Sequence, residues 1–166
     1  EMNDIYETWK DEYHNLGKHD QVDNVLIFEN KGKVIGVSNP HPHGQIYATG
    51  FVPKTVRRQL DSFLKYYKSH HSHLLSDLLE HELAKEKRIV TQNEHFVAFI
   101  PFFARFVYEV YIVPRRQISR ITDFTDEELK ALASIHKEVI VKYDNLYEVS
   151  FPNITMLQNA PTTGSL

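Results

Sequence analysis

The sequence predicts an α+β fold, and three observations carry that prediction. Short runs rich in aromatic and β-branched residues fall into two sets, one between residues 25 and 52 and another between residues 89 and 113. A long stretch of helical periodicity joins them. Strands and helices do not alternate in the regular way that a doubly wound parallel sheet requires. With 166 residues, of which 42% are apolar and 25% charged, the chain is large enough to bury one core.

Taken in order, Ile5, Trp9, Tyr13 and Leu16 recur at helical spacing and Gly17 follows, so residues 4–16 predict an amphipathic helix. Val25-Leu26-Ile27-Phe28 predicts a buried strand, Glu29-Asn30-Lys31-Gly32 a turn, and Val34-Ile35-Gly36-Val37 a returning strand. A second extended piece, residues 46–52, closes at Pro53. Val56, Leu60, Phe63, Leu64 and Tyr67 then line one helical face, and Leu75, Leu78, Leu79 and Leu83 continue it beyond a His/Ser interruption. Strand candidates follow at 89–90, 95–100 and 106–113, the last ended by Pro114. Thr125-Asp126-Glu127-Glu128 is a capping box, and Leu129, Leu132, His136, Val139, Ile140 and Tyr143 form the buried face of the helix it opens. Residues 153–157 are a final strand. The expected organisation is residues 1–53 as the end of one β unit, 54–87 as a helical connector and 88–166 as the start of a second β unit.

Composition excludes several functions. With 19 basic and 22 acidic residues the formal charge is −3, and no Lys/Arg cluster is dense enough to track a phosphate backbone, so neither nucleic acid nor an anionic membrane is an expected partner. There is no cysteine, which removes disulfides, thiol nucleophiles and thiolate metal ligands. The most apolar stretch, residues 96–104, is interrupted by Pro101 and stopped by Arg105, well short of the roughly 18 residues of a membrane span. No secretory signal precedes the first helix, so a cytoplasmic location is expected. Glu1 stands before Met2, and the sequence stops in a Pro/Gly-containing segment, residues 160–166; a piece of a longer protein is the expectation.

The chemistry concentrates in Ser38-Asn39-Pro40-His41-Pro42-His43-Gly44-Gln45. In extended backbone, residues two apart share a face, so His41, His43 and Gln45 line one side. Pro40 and Pro42 remove ladder donors, as on an edge or irregular strand, and Gly44 permits close backbone approach. Three readings of this face stand: both imidazoles bind one metal, one imidazole is a nucleophile, or both are incidental polar residues. Gln45 favours phosphate chemistry, because an amide donor beside an imidazole can bind a non-bridging oxygen as charge builds there. Elsewhere His70, His71, His73, Asp77 and His81 form a second cluster, read as a solvated connector rather than a metal site. His136 reads as a hydrogen-bonded core histidine, and Arg115 and Arg116 as either a sugar-phosphate contact or a solvated strand end.

Phe28-Glu29-Asn30-Lys31-Gly32 together with Ser38-Asn39-Pro40-His41-Pro42-His43-Gly44-Gln45 resembles the active-site segment of the galactose-1-phosphate uridylyltransferase family, in the histidine-triad superfamily. The likeness continues through Arg120-Ile121-Thr122-Asp123, Tyr143-Asp144-Asn145-Leu146 and Ser150-Phe151-Pro152. It implies a histidine-triad-like antiparallel sheet with helices, representing the end of one half-domain and most of a second. It implies a uridylyl group exchanged between UDP-glucose and galactose 1-phosphate through a covalent intermediate on His43. Gln45 would contact the transferred phosphoryl group, Asn30 and Ser38 the nucleotide phosphate or its surroundings, and His41 a structural zinc. The family's remaining zinc ligands have no counterpart in this chain, and a second iron or zinc site is expected to be absent, because Gln59 and Gln158 stand where other members carry ligands. A homodimer is implied for the whole protein, and inactivity for this chain alone. The alternatives are a related nucleotide phosphorylase or hydrolase, or a nucleotide-binding module without turnover.

Overall fold

The computed structural model describes residues 2–35 and 43–163. The first helix, α1 (Met2–Gly17), buries Trp9 and Tyr13 as its periodicity predicts and Tyr6 beside them, while Ile5 and Leu16 are partly buried. Strand β1 (Asn24–Lys31), a single turn of 3₁₀-helix (Lys33–Ile35) and β2 (His43–Thr49) follow. Helices α2 (Lys54–His70) and α3 (Leu74–Lys85) lead to β3 (Ile89–Gln92), β4 (Phe96–Phe99) and β5 (Tyr111–Pro114). The long helix α4 (Asp126–Tyr147) precedes β6 (Asn153–Leu157).

Six strands make two three-stranded sheets, β2-β1-β6 and β3-β4-β5, and every pairing is antiparallel. This is the α+β architecture expected from the sequence. Tyr6, Trp9 and Tyr13 of α1 join Leu129, Leu132, Ile135 and Val139 of α4 in one core with Val25 and Ile27 of the first sheet and Phe96 and Ala98 of the second. Leu79 of α3 packs with Val97, Phe99 and Val113 on the opposite side of the second sheet.

The capping box of α4 forms as expected: Glu128 N–H donates to Thr125 Oγ1 at 3.2 Å and Thr125 N–H to Glu128 Oε2 at 2.8 Å. Arg116 clamps the same carboxylate, whose pKa its hydrogen bonds depress to about 2.

Two expectations need correction. First, Val34 and Ile35 are not strand but part of the 3₁₀ turn, and β1 pairs with β2, in register from Asn24 opposite Thr49 to Asn30 opposite His43. Glu29, Asn30 and Lys31 belong to the strand rather than a turn, because β1 is central and is paired on both sides there, Asn30 facing both His43 and Ile154. The turn begins at Gly32, whose φ of 103° suits only glycine, and an added Cβ would lie 2.8 Å from Pro152 Cβ. The connector is two helices that part at the expected His/Ser interruption, α2 ending at His71 in the left-handed conformation; His73 is the N-cap of α3, which carries Asp77 and His81. Second, residues 106–110 are not strand. Glu109 N–H turns back to Phe106 O at 3.3 Å, and its carboxylate accepts from Arg105 N–H at 2.6 Å, a local closure that delays β5 to Tyr111.

Strand β6 lies in the expected second β unit yet pairs with β1, so the first sheet draws on both ends of the chain. Asp144 fastens this return, accepting from Phe151 N–H at 2.7 Å and from Lys31 Nζ at 3.4 Å.

Candidate active site

Register decides which side chains meet. Asn30 lies opposite His43, Phe28 opposite Gln45 and Leu26 opposite Tyr47, so these six occupy successive rungs on one face of the first sheet. Ile154 and Met156 of β6 continue that face beside Asn30 and Phe28, and Tyr47, Ile154 and Met156 are all about half exposed. No helix covers this side among the described residues, which leaves it accessible to a ligand.

The reverse face is packed on α1 and α4 at β1, where Ile27 is fully buried, while Gly44 and Ala48 of β2 keep some exposure. Gly44, between His43 and Gln45, sits against the indole of Trp9, and a Cβ there would come 3.2 Å from Trp9 Nε1. Strand β2 is thereby seated directly on α1. Beside it Glu29 is buried, and burial raises its carboxyl pKa, an effect that Lys31 and then His43 partly offset. His136 Nδ1 lies 2.9 Å from Tyr6 Oη and its Nε2 3.1 Å from Thr155 Oγ1. Burial holds the His136 pKa down at about 4 and raises that of Tyr6, so both are neutral near pH 7. Tyr6 O–H then donates to Nδ1 and Nε2–H donates to Thr155, tying α1, α4 and β6 together under the sheet. His136 is the hydrogen-bonded core histidine that the sequence predicts.

On the open face Tyr47 O–H donates to Gln45 Oε1 at 2.9 Å, and the Tyr47 ring meets Phe28 edge to face at a centroid distance of 5.3 Å. Tyr47 was not singled out from the sequence, although it continues the same two-residue series as His43 and Gln45. Of the sequence-derived site residues, Asn30, His43 and Gln45 are brought together; Ser38 and His41 lie outside the described residues. Arg115 is engaged by Asn93 O at 3.0 Å and Gln92 Oε1 at 2.7 Å, in the second sheet, and Arg116 by Glu128 at the start of α4, so both serve the fold.

The metal implied by the family resemblance does not fit the described residues. No group of three or more His, Asp or Glu side chains is arranged among them to hold an ion, and the chain has no cysteine. Asp77 instead accepts hydrogen bonds from Tyr66 and Ser72. Gln59 is exposed on α2, and Gln158 Nε2 approaches Met156 Sδ at 3.0 Å.

Comparison with known proteins covers nearly the whole chain with two family models. The profile of the galactose-1-phosphate uridyl transferase N-terminal domain matches residues 1–53, and that of the C-terminal domain matches residues 59–165. The galactose-1-phosphate uridylyltransferase of Thermotoga maritima is 43% identical over 157 residues, covering 95% of this chain and 49% of that protein. A solved uridylyltransferase structure superposes with a TM-score of 0.91 at 37% identity, over 96% of this chain and 50% of the other. An Arabidopsis thaliana ADP-glucose phosphorylase with bound ADP-glucose gives 0.86 at 25% identity, over 99% and 52%. The chain thus spans about half the length of the relatives it matches. On matches that run through both β units and the helices between them, the chain belongs to the galactose-1-phosphate uridyl transferase family.

Proposed function

We propose that this chain carries the nucleotidyl-transfer face of a galactose-1-phosphate uridylyltransferase, acting in the cytoplasm as part of a longer, homodimeric protein. The observation that supports it is the juxtaposition of His43, Gln45 and Asn30 on one accessible sheet face, with β2 seated firmly on Trp9 behind. An unprotonated ring nitrogen of His43 attacks the α-phosphorus of UDP-glucose. The P–N bond forms as the bond from phosphorus to the bridging oxygen breaks, and glucose 1-phosphate leaves with that electron pair. Galactose 1-phosphate then attacks the same phosphorus through a phosphate oxygen, restoring the imidazole and releasing UDP-galactose. Imidazole suits both halves, being nucleophilic near neutral pH and a good leaving group once phosphorylated.

The Gln45 amide donates to a non-bridging oxygen, where it opposes the charge that builds in the transition state. Asn30 and Ser38 hold the neighbouring phosphate oxygens. A zinc on His41 would need ligands from outside this chain, and no step of the reaction is routed through it.

Full-length protein incubated with UDP-glucose labelled in the uridylyl group tests this reading. Acid-labile label on the protein, discharged by galactose 1-phosphate, is the expected result; label transfer to a variant lacking His43 would overturn it. The fold likeness to an ADP-glucose phosphorylase favours one second reading, in which inorganic phosphate is the acceptor. Discharge by phosphate in preference to galactose 1-phosphate would select it, and tight UDP binding without any labelling would mark a binding module.

A further inference from the structure

We propose that Tyr47 is a positioning residue that fixes which end of the Gln45 amide faces the phosphoryl group; this rests on the transfer reading above. A glutamine amide presents a donor at one end and an acceptor at the other, and rotation about its last torsion exchanges them. Only the NH₂ end stabilises a phosphoryl oxygen, whereas the carbonyl end repels it. The hydroxyl of Tyr47 donates to Gln45 Oε1 at 2.9 Å, which commits the carbonyl to the protein and leaves the NH₂ for a ligand. Among the described residues this is the only hydrogen bond of the Gln45 side chain.

The tyrosine is itself held. Its ring stands edge to face on Phe28 with an interplanar angle of 86°, and Phe28 is the residue directly opposite Gln45 on β1. Phe28, Tyr47 and Gln45 therefore form a closed triangle across two strands, one apolar contact fixing the ring and one hydrogen bond fixing the amide. Tyr47 is 53% exposed and contributes little to the core, so its hydroxyl can be removed without disturbing the fold.

The test is a double-mutant cycle in the full-length protein. Tyr47→Phe keeps the ring on Phe28 and deletes only the donor. It is expected to lower kcat for sugar-phosphate exchange about fivefold, the worth of one ordinary hydrogen bond. KM for UDP-glucose should stay within about twofold and Tm should be unchanged. In a Gln45→Ala background the same change should cost nothing further, because the group it orients is gone. Wild-type kcat in Tyr47→Phe, or an equal loss in both backgrounds, overturns the proposal. A His43→Ala control separates the two levels of inference: full exchange in that variant removes the transfer reading itself, whereas a flat Tyr47 cycle with an inactive His43→Ala removes only the role given to Tyr47.

Discussion

The two sheets of this chain are both three-stranded and antiparallel but are covered differently. In the second sheet, β4 is sandwiched, Phe96 and Ala98 packing towards α4 and Val97 and Phe99 towards α3, and all four residues are 0–1% exposed. In the first sheet α1 and α4 cover one face only, and the other carries His43, Gln45 and Asn30 half-buried and Tyr47 exposed. One sheet is spent on stability and the other is left with a surface on which chemistry can be placed. The contrast predicts that changes on the open face alter rate without altering stability, and that changes on the covered faces do the reverse.

The largest effect is expected from His43→Ala in the full-length protein. Exchange should fall by at least about 10³-fold while UDP-glucose binding largely survives, since a nucleophile acts in the transition state far more than in the ground state. Steady-state kinetics beside isothermal titration decide it. Gln45→Glu comes next, with a loss on the order of 10²-fold at unchanged Tm, because a carboxylate repels the oxygens that an amide would bind. Unchanged activity at neutral pH would take Gln45 out of the site.

Phe99→Ala tests the sandwiched sheet. It should cost about 3–5 kcal/mol of unfolding free energy, read by denaturant titration, because a fully buried ring is replaced by a cavity. A loss under about 1 kcal/mol would show that the second sheet is less tightly enclosed than its burial indicates.

A smaller, pH-dependent effect lies on the covered face of the first sheet. His136 has a folded pKa of about 4 against an ordinary 6.5, so the unfolded chain takes up the proton first. Its contribution is fully present above about pH 6.5 and is lost as pH falls towards 4, amounting to about 3 kcal/mol at the acid end. His136→Gln should flatten that part of the Tm-versus-pH curve. If wild type and variant run parallel from pH 7 to 4, the imidazole is not held neutral. The smallest signal concerns metal: after exhaustive dialysis the chain should retain far less than one equivalent of zinc or iron by elemental analysis. About one equivalent per chain would mean that other histidines, such as His70, His71 and His81, complete a shell.

Local periodicity made much of this molecule legible. The α1 residues Trp9 and Tyr13, the capping box at Thr125 and the strand at 153–157 follow from spacing and side-chain chemistry over a few residues. The same logic put His43 and Gln45 on one face, since strand alternation is a property of the backbone itself. The resemblance of the motif, rather than its spacing, pointed to uridylyl transfer.

What the sequence by itself determined, then, was which residues could share a helix face or a strand face, because such relations are set by 3.6- and 2-residue periods. Tertiary structure alone decided which strands pair and in what register. Asn30 came to lie opposite His43, Phe28 opposite Gln45 and β6 beside β1, although local signals favoured a turn at Asn30 and a strand at Val34. Pairing partners distant in sequence are chosen by which arrangement buries Val25, Ile27 and the α1 aromatics together, and no short window of residues contains that comparison. The Tyr47–Gln45 contact depends on the same choice, for the ring of Tyr47 is held by a phenylalanine on the neighbouring strand.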